Sequence, residues 1–186
     1  MSIHADDEFN LRLALMSELD DFRKAKDDFF GHDPQSPLTP EQRRDFSGLV
    51  YYPENRALVV KGRLDPDVEA GEVPMEATGG GEQVYTRAGI LRFAVDGQPA
   101  QLTLFAQEDQ HELFVPFRDA TSGKGSYPAG RYLEVEPPDA SGQVTVDFNL
   151  AYNPYCAYNP EYSCPLPPVE NWLKVPVEAG EKTFSH

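Results

Sequence analysis

The hydrophobic pattern changes period once along the chain, from about 3.6 residues to 2. Between residues 6 and 30, Leu11, Leu15, Leu19, Phe22, Ala25 and Phe29 recur at three- and four-residue spacing. That stripe predicts an amphipathic helix. Asp6, Asp7 and Glu8 stand where a helix N-terminus favours negative charge. Gly31 is placed to cap the other end. Glu18, Arg23, Lys24 and Asp28 form the opposite, solvated face. A second, short helix is expected over residues 40–46. Thr39 suits its N-cap, Pro40 its first turn and Gln42 the reciprocal capping partner.

From Leu49 onward the apolar positions alternate. Leu49–Tyr52 and Leu58–Leu64 flank a Pro-Glu-Asn turn and read as a hairpin. Leu58, Val60 and Leu64 face one way, Val59, Lys61 and Arg63 the other. Gly79, Gly80 and Gly81 mark a turn, and Leu91, Phe93 and Val95 lead to Asp96-Gly97, a tight-hairpin signal. Leu102 with Leu104, Leu113 with Val115 and Phe117, Leu133 with Val135, and Val144 with Val146 and Phe148 continue the alternation. A last short strand is expected around Val175–Val177.

About eight short strands with no crossover helices imply antiparallel pairing. The expected fold is mainly β: an antiparallel β-sandwich or partly closed barrel with the N-terminal α-helices packed outside. The whole chain, 1–186, is expected to form a single domain. Its parts are a helix at 6–30, a short helix at 40–46, a β region at 49–150, a loop at 151–172 and a terminal strand at 173–182.

Composition supports a packed core, with 40% hydrophobic and 11% aromatic residues. A chain of this length buries roughly 70% of its unfolded surface without help from metal or disulfide. Seventeen prolines and 14 glycines agree with many turns. Thirty-one acidic residues against 16 basic ones give a net charge of −15. Such a surface repels phosphate backbones and anionic lipid, so neither nucleic acid nor membrane is an expected partner. The low lysine content suits high salt, and suits an ordinary acidic cytosolic protein too. The start of the chain lacks the basic and apolar regions of a secretory signal, and no stretch reaches the ~20 apolar residues of a membrane span. A soluble, cytoplasmic protein is the default expectation, with its two cysteines as thiols.

After Leu150 the regularity stops for some twenty residues, a length usually reserved for functional or self-packed segments. Ala151-Tyr152-Asn153-Pro154-Tyr155-Cys156 is followed by Ala157-Tyr158-Asn159-Pro160-Glu161-Tyr162-Ser163-Cys164, an imperfect duplication ending twice in Cys. Cys164-Pro165-Leu166-Pro167-Pro168 then leads to Asn171-Trp172.

Several segments together resemble a known family. They are Phe117 to Gly123, Tyr127 to Leu133, Asp147 to Pro154, Cys164 to Pro168 and Ala179 to Lys182. The run is similar to domain-of-unknown-function family 1684 of bacteria and archaea. The resemblance covers most of residues 20–182 and is strongest after 115. It implies no activity.

Candidate chemistry therefore rests on the residues. Arg131 shares the alternation of Leu133 and Val135, which turns it inward, where an unpaired guanidinium is very costly. Asp147, Asp119, Glu134 or a ligand anion could pair it. Alternation sets Asp147 and Asn149 away from the core, so a bulge or second layer would be needed to bring them there. Cys156 and Cys164 suit thiols or a disulfide. Their spacing lacks the compact pattern of zinc sites, and the local Tyr, Pro and Glu161 offer no cation to activate a nucleophile. His4, His32, His111 and His186 show no ligand spacing, and no metal or cofactor is indicated.

Thr121 to Ser126 has the small residues of an anion-cradling loop without its full spacing, and reads as a flexible hairpin loop. His32-Asp33 reads as a surface turn. Tyr152, Tyr155, Tyr158 and Tyr162 could stack a ring or fold the loop over a sheet end.

Two functions follow. One is a small-molecule-binding or catalytic domain with a site at the strand ends built from Arg131, Asp147, Asn149, Asn153, Tyr152 and Tyr158. The other is a non-catalytic structural or protein-interaction module whose loop only completes the core. A pocket at Arg131 would favour the first, and full internal pairing the second. The sequence names no substrate, cofactor or oligomeric state.

Overall fold

Alternating positions from Leu58 to Phe148 supply the inner face of one bent sheet. The computed structural model describes residues 5–66, 71–108 and 110–185, with side chains from Glu18 onward. The chain divides into two compact units, one ending at Leu49 and one starting at Val50.

The first unit holds α1 (Ala5–His32) and α2 (Pro40–Asp45). The capping box at α2 forms as its residues dictate. Gln42 N–H donates to Thr39 Oγ1 at 3.2 Å, and Thr39 N–H to Gln42 Oε1 at 2.8 Å. The expected stripe of α1 is only partly tested, with Leu19 and Phe29 partly buried and Ala25 exposed. Its Leu11 and Leu15 lie outside the described side chains, and Phe22 stands 44% exposed. Phe30 is the buried ring, stacked on Phe46 at 6.3 Å. The helix also continues through Gly31 to His32, whose Nδ1 lies 2.9 Å from Asp28 Oδ1.

The second unit is mainly β. Among the described residues its strands are β1 (Val59–Asp65), β2 (Glu72–Glu76), β3 (Glu82–Val95), β4 (Gln98–Ala106), β5 (Leu113–Phe114), β6 (Glu134–Val135) and β7 (Gln143–Asp147). They form one antiparallel sheet in the order β6-β5-β4-β3-β1-β7, with β2 added to the first half of β3. The sheet is not closed by hydrogen bonds, yet Leu133 and Val135 at one end share a core with Val144 and Val146 at the other. Asp96-Gly97 closes the β3–β4 hairpin as expected, pairing Val95 with Gln98.

Two expectations for this unit are corrected, and one strand was not expected. Leu49–Tyr52 and Leu58–Leu64 form no hairpin. Asn55 Oδ1 accepts from Ala57 N at 3.0 Å and winds residues 56–58 into a 3₁₀ turn, Tyr51 bridges instead to Glu181, and β1 pairs with β7 and β3. The strand β2, interrupted by Pro74, was not foreseen. Val175–Val177 belongs to no strand among the described residues, although its alternation survives, with Leu173, Val175 and Val177 buried between exposed neighbours.

A second, smaller core lies apart from the main one. Val73, Met75, Tyr85 and Phe105 form it, with Phe114 packed against them. Rings continue from there: Tyr85 stacks on Phe114 at 5.1 Å, Phe114 meets Tyr132 at 4.8 Å and Tyr132 meets Tyr152 at 5.9 Å. The Cys-Pro-rich loop is pinned beside this row. Leu166 N–H donates to Glu76 O at 2.7 Å, Thr78 N–H to Cys164 O at 2.9 Å, and the Tyr132 hydroxyl to Pro165 O.

Candidate functional site

Arg131 follows Gly130, whose φ of +110° is open to glycine and costly for other residues. A Cβ at Gly130 would stand 2.6 Å from Phe117 O, so only glycine lets Arg131 bridge so closely to Phe117. The Arg131 side chain turns inward and is 1% exposed. Its Nη2 donates to Asp119 Oδ1 at 3.3 Å and to Val177 O at 2.8 Å. Its Nη1 donates to Glu181 O at 3.1 Å and to Ala179 O. The ring of Phe117 lies 5.3 Å from the guanidinium carbon. Burial pushes the Arg131 pKa down and Asp119 opposes the shift, so the group stays a cation at any physiological pH.

Asp119 is the partner, and it does more than neutralise. Its Oδ2 accepts from Val177 N at 2.7 Å, Thr121 N at 3.1 Å and Thr121 Oγ1 at 2.8 Å. The C-terminal segment thus docks on a side chain where a strand ladder would otherwise hold it. Gly180 has a φ of +72°, and a Cβ there would meet Ala151 O at 2.4 Å. The turn at Gly180 sends Glu181 inward. Glu181 Oε2 accepts from Asn153 N–H at 2.9 Å and from the Tyr158 hydroxyl. Burial, then the Glu181 carboxylate, raises the Tyr158 pKa well above its ordinary value. Tyr158 therefore remains a donor.

The expected site residues are divided among several places. Arg131, Asn153 and Tyr158 share the region around Glu181. Asp147 and Asn149 are not among Arg131's bonded partners. Asp147 Oδ1 accepts from Asn149 N at 2.9 Å and Asn149 Nδ2 at 2.8 Å, capping a 3₁₀ turn at Phe148–Leu150. Asn149 in turn pairs with the backbone of Asn55 at 2.7 and 3.1 Å. The Tyr152 hydroxyl donates to Glu134 Oε1, and burial with that carboxylate raises its pKa. Asn153 Nδ2 donates to Lys182 O at 2.8 Å, while its Oδ1 finds no hydrogen-bond partner among the described residues.

Glu181 and Asn171 were missed by the sequence reading. Glu181 was legible as the next inward step after Val175, Val177 and Ala179. Asn171, fully buried, holds Thr103 N and O at 2.8 and 2.9 Å and Pro116 O at 2.8 Å. Its neighbour Trp172 gave no sign of that role.

The loop from Thr121 to Ser126 is no anion cradle. Lys124, Gly125 and Ser126 N–H all converge on Thr121 O, at 2.9, 3.0 and 3.2 Å. Two surface clefts lie away from Arg131. One of about 380 Å³ is lined by Lys24, Asp28, His32, Arg43 and Phe46, and one of about 70 Å³ by Asn55, Leu58, Val95 and Glu178. Among the described residues no cluster of His, Cys, Asp or Glu could hold a metal ion, and His4 and His186 fall outside them.

Cys156 and Cys164 are free thiols. Cys156 N–H donates to Cys164 Sγ at 3.3 Å, and the Tyr127 hydroxyl to Cys156 Sγ at 3.9 Å. Cys156 has donors that the expectation from its local neighbours did not count. Hydrogen bonds from the Cys164 thiol, Thr78 and Tyr127 outweigh burial and lower its pKa to about 6. Cys164 is raised by donating to Cys156 and by burial. Thr78 and Tyr127 are distant in sequence, so the local composition could not reveal them.

A family model described as "Protein of unknown function (DUF1684)" matches residues 44–182. The chain belongs to that family. Its members' description names no activity, so the resemblance of the Tyr127–Leu133 and Asp147–Pro154 segments is a true kinship without a mechanism. The chain is also similar to a solved structure, the solution NMR structure of an uncharacterized protein from Haloarcula marismortui. The two share 39% identity over 97% of this chain and 98% of that one, with a TM-score of 0.70. No curated protein matches the chain. Among the described residues no helix is long and apolar enough to cross a membrane.

Proposed function

We propose that the chain serves as a non-catalytic structural or protein-interaction module, its C-terminal loop completing the core instead of covering a ligand site. The observation that carries this reading is that four of Arg131's five donors are taken internally, with only Nε left over. Three backbone carbonyls and Asp119 take its donors, and all of them belong to the segments it holds together. An anion-binding arginine needs donors left over for its ligand. The loop has a separate structural task, since its residues 164–166 are pinned to the end of β2 and to Tyr132 beside the smaller core.

The small-molecule reading keeps one foothold, the buried Oδ1 of Asn153. One buried water would satisfy that acceptor as a ligand hydroxyl would. The test is a titration of the isotopically labelled chain with phosphate, a dicarboxylate and an aromatic alcohol at constant ionic strength. The side-chain resonances of Arg131, Asn153 and Tyr158 are expected to stay in place. Saturable shifts confined to those groups would sink the structural reading and restore the ligand site.

A further inference from the structure

The core accounts for the buried arginine, asparagines and glutamate, but leaves two nucleophilic groups unused. Cys156 is half-buried within a 3₁₀ turn at Tyr155–Ala157, and Cys164 is buried at the far end of the same loop. The backbone N–H of the first reaches the sulfur of the second at 3.3 Å. Cys164 is anchored by Thr78, whose Oγ1 accepts from Cys164 N at 3.0 Å and whose N–H donates to Cys164 O at 2.9 Å. Two unbonded thiols are thus held at neighbouring positions, one partly exposed and one buried. That is the arrangement of an attacking and a resolving thiol.

We propose that Cys156 and Cys164 form a thiol–disulfide exchange centre whose substrate class is a small-molecule disulfide. The Cys156 thiolate attacks one sulfur of R–S–S–R, forming a mixed disulfide and releasing R–S⁻, which takes up the proton Cys156 has lost. Cys164 then gives its proton to solvent, and its thiolate attacks Cys156 Sγ and expels the second R–S⁻. The protein loses two electrons and two protons, and R–S–S–R becomes two R–SH. The step is stoichiometric and reverses with excess small thiol, so it does not depend on the role assigned to Arg131.

Among the described residues the groups facing the sulfurs are Tyr127, Tyr132 and Tyr85, with Thr78, and they include no cation. Cys156 is activated by donated hydrogen bonds alone. Its pKa of about 6 compares with about 8.5 for a free thiol. Lower basicity also weakens the nucleophile, with a Brønsted coefficient of about 0.45, which offsets about 13-fold of the gain. The advantage over a free thiol is therefore about 2-fold at pH 7 and about 12-fold at pH 6.

The test uses the full chain, reduced and then exposed to excess oxidised glutathione, with intact mass and peptide mapping as the readout. Wild type should lose both thiols and carry no adduct. Cys164→Ser should stop at a glutathione adduct on Cys156, and Cys156→Ser should react at least 10-fold more slowly at pH 6. Wild-type iodoacetamide labelling, mapped at pH 6, needs no variant and should mark Cys156 well ahead of Cys164. Wild type that keeps both thiols, or labelling of Cys164 first, overturns the proposal.

Discussion

Replacing Arg131 with methionine tests the core network directly. The substitution keeps much of the aliphatic volume and removes every donor. It strands the carbonyls of Val177, Ala179 and Glu181 and leaves Asp119 buried without its cation. Removing one partner of a buried pair costs about 3–5 kcal/mol, and each stranded carbonyl about 1–3 kcal/mol unless water reaches it. Asp119 keeps Val177 N, Thr121 N and Thr121 Oγ1, which limits the damage on its side. A loss of about 4 kcal/mol is the expected balance. The assay is urea unfolding followed by the fluorescence of Trp172, the chain's single tryptophan, which lies 4.5 Å from the Arg118 guanidinium carbon. The double change Arg131→Met with Asp119→Leu should cost at least 1.5 kcal/mol less than the two single changes summed, because it leaves no unpaired charge. A single-mutant cost below about 1 kcal/mol, or strict additivity, would refute the account of a coupled buried pair.

Three further outcomes follow from the same geometry. Asn171→Ala removes three buried hydrogen bonds between β4, Pro116 and the C-terminal segment. It should cost about 3 kcal/mol in the same unfolding assay. Gly180→Ala forces a side chain into a left-handed turn and onto Ala151 O, and should cost about 3 kcal/mol. Its amide exchange should rise first at Glu181 and Asn153, and an undisturbed exchange pattern would contradict the assigned role of the turn. Oxidation to a Cys156–Cys164 disulfide closes a nine-residue loop and should add about 2.5 kcal/mol on the chain-entropy estimate, read as the difference between reduced and oxidised chains.

Where each residue reported on its own neighbours, the sequence was a good guide. Thr39, Pro40 and Gln42 specified a capping box that needs only four consecutive residues. Alternation gave the inward faces of β1, β3, β4 and β7, and Asp96-Gly97 gave a hairpin. Alternation also turned Arg131 inward and named Asp119 among its candidate partners. It failed where pairing runs between distant segments. Tyr51 bridges Glu181, a contact that spans most of the chain and that no local turn chemistry could announce. Pro74 hid β2, because proline ordinarily speaks against a strand. The thiol environment was incomplete in the sequence for the same reason, since two of its donors come from residues 78 and 127.

The irregular C-terminal third shows why such polar burial is retained at all. Leu173 to Ala179 alternates in burial outside any strand, and backbone pairing holds the segment at the Tyr51–Glu181 bridge and at Val175, so side chains fix the register between those points. Ala120 N–H donates to Val175 O at 3.1 Å, Val177 N–H is taken by Asp119, and three carbonyls from Val177 to Glu181 are taken by Arg131. A slip of one residue would turn Val175, Val177 and Ala179 outward, and it would also leave a guanidinium and a carboxylate unpaired in the core. An apolar pair at positions 119 and 131 could match the stability, but it would penalise that slip only through lost burial and the few backbone bonds at Val175, Gly180 and Glu181. The buried ion pair therefore contributes less to the depth of the native state than to its separation from the shifted alternative. Tyr158 and Glu181 extend the same logic to the loop, where one carboxylate fixes both Asn153 and the tyrosine that closes the duplicated segment.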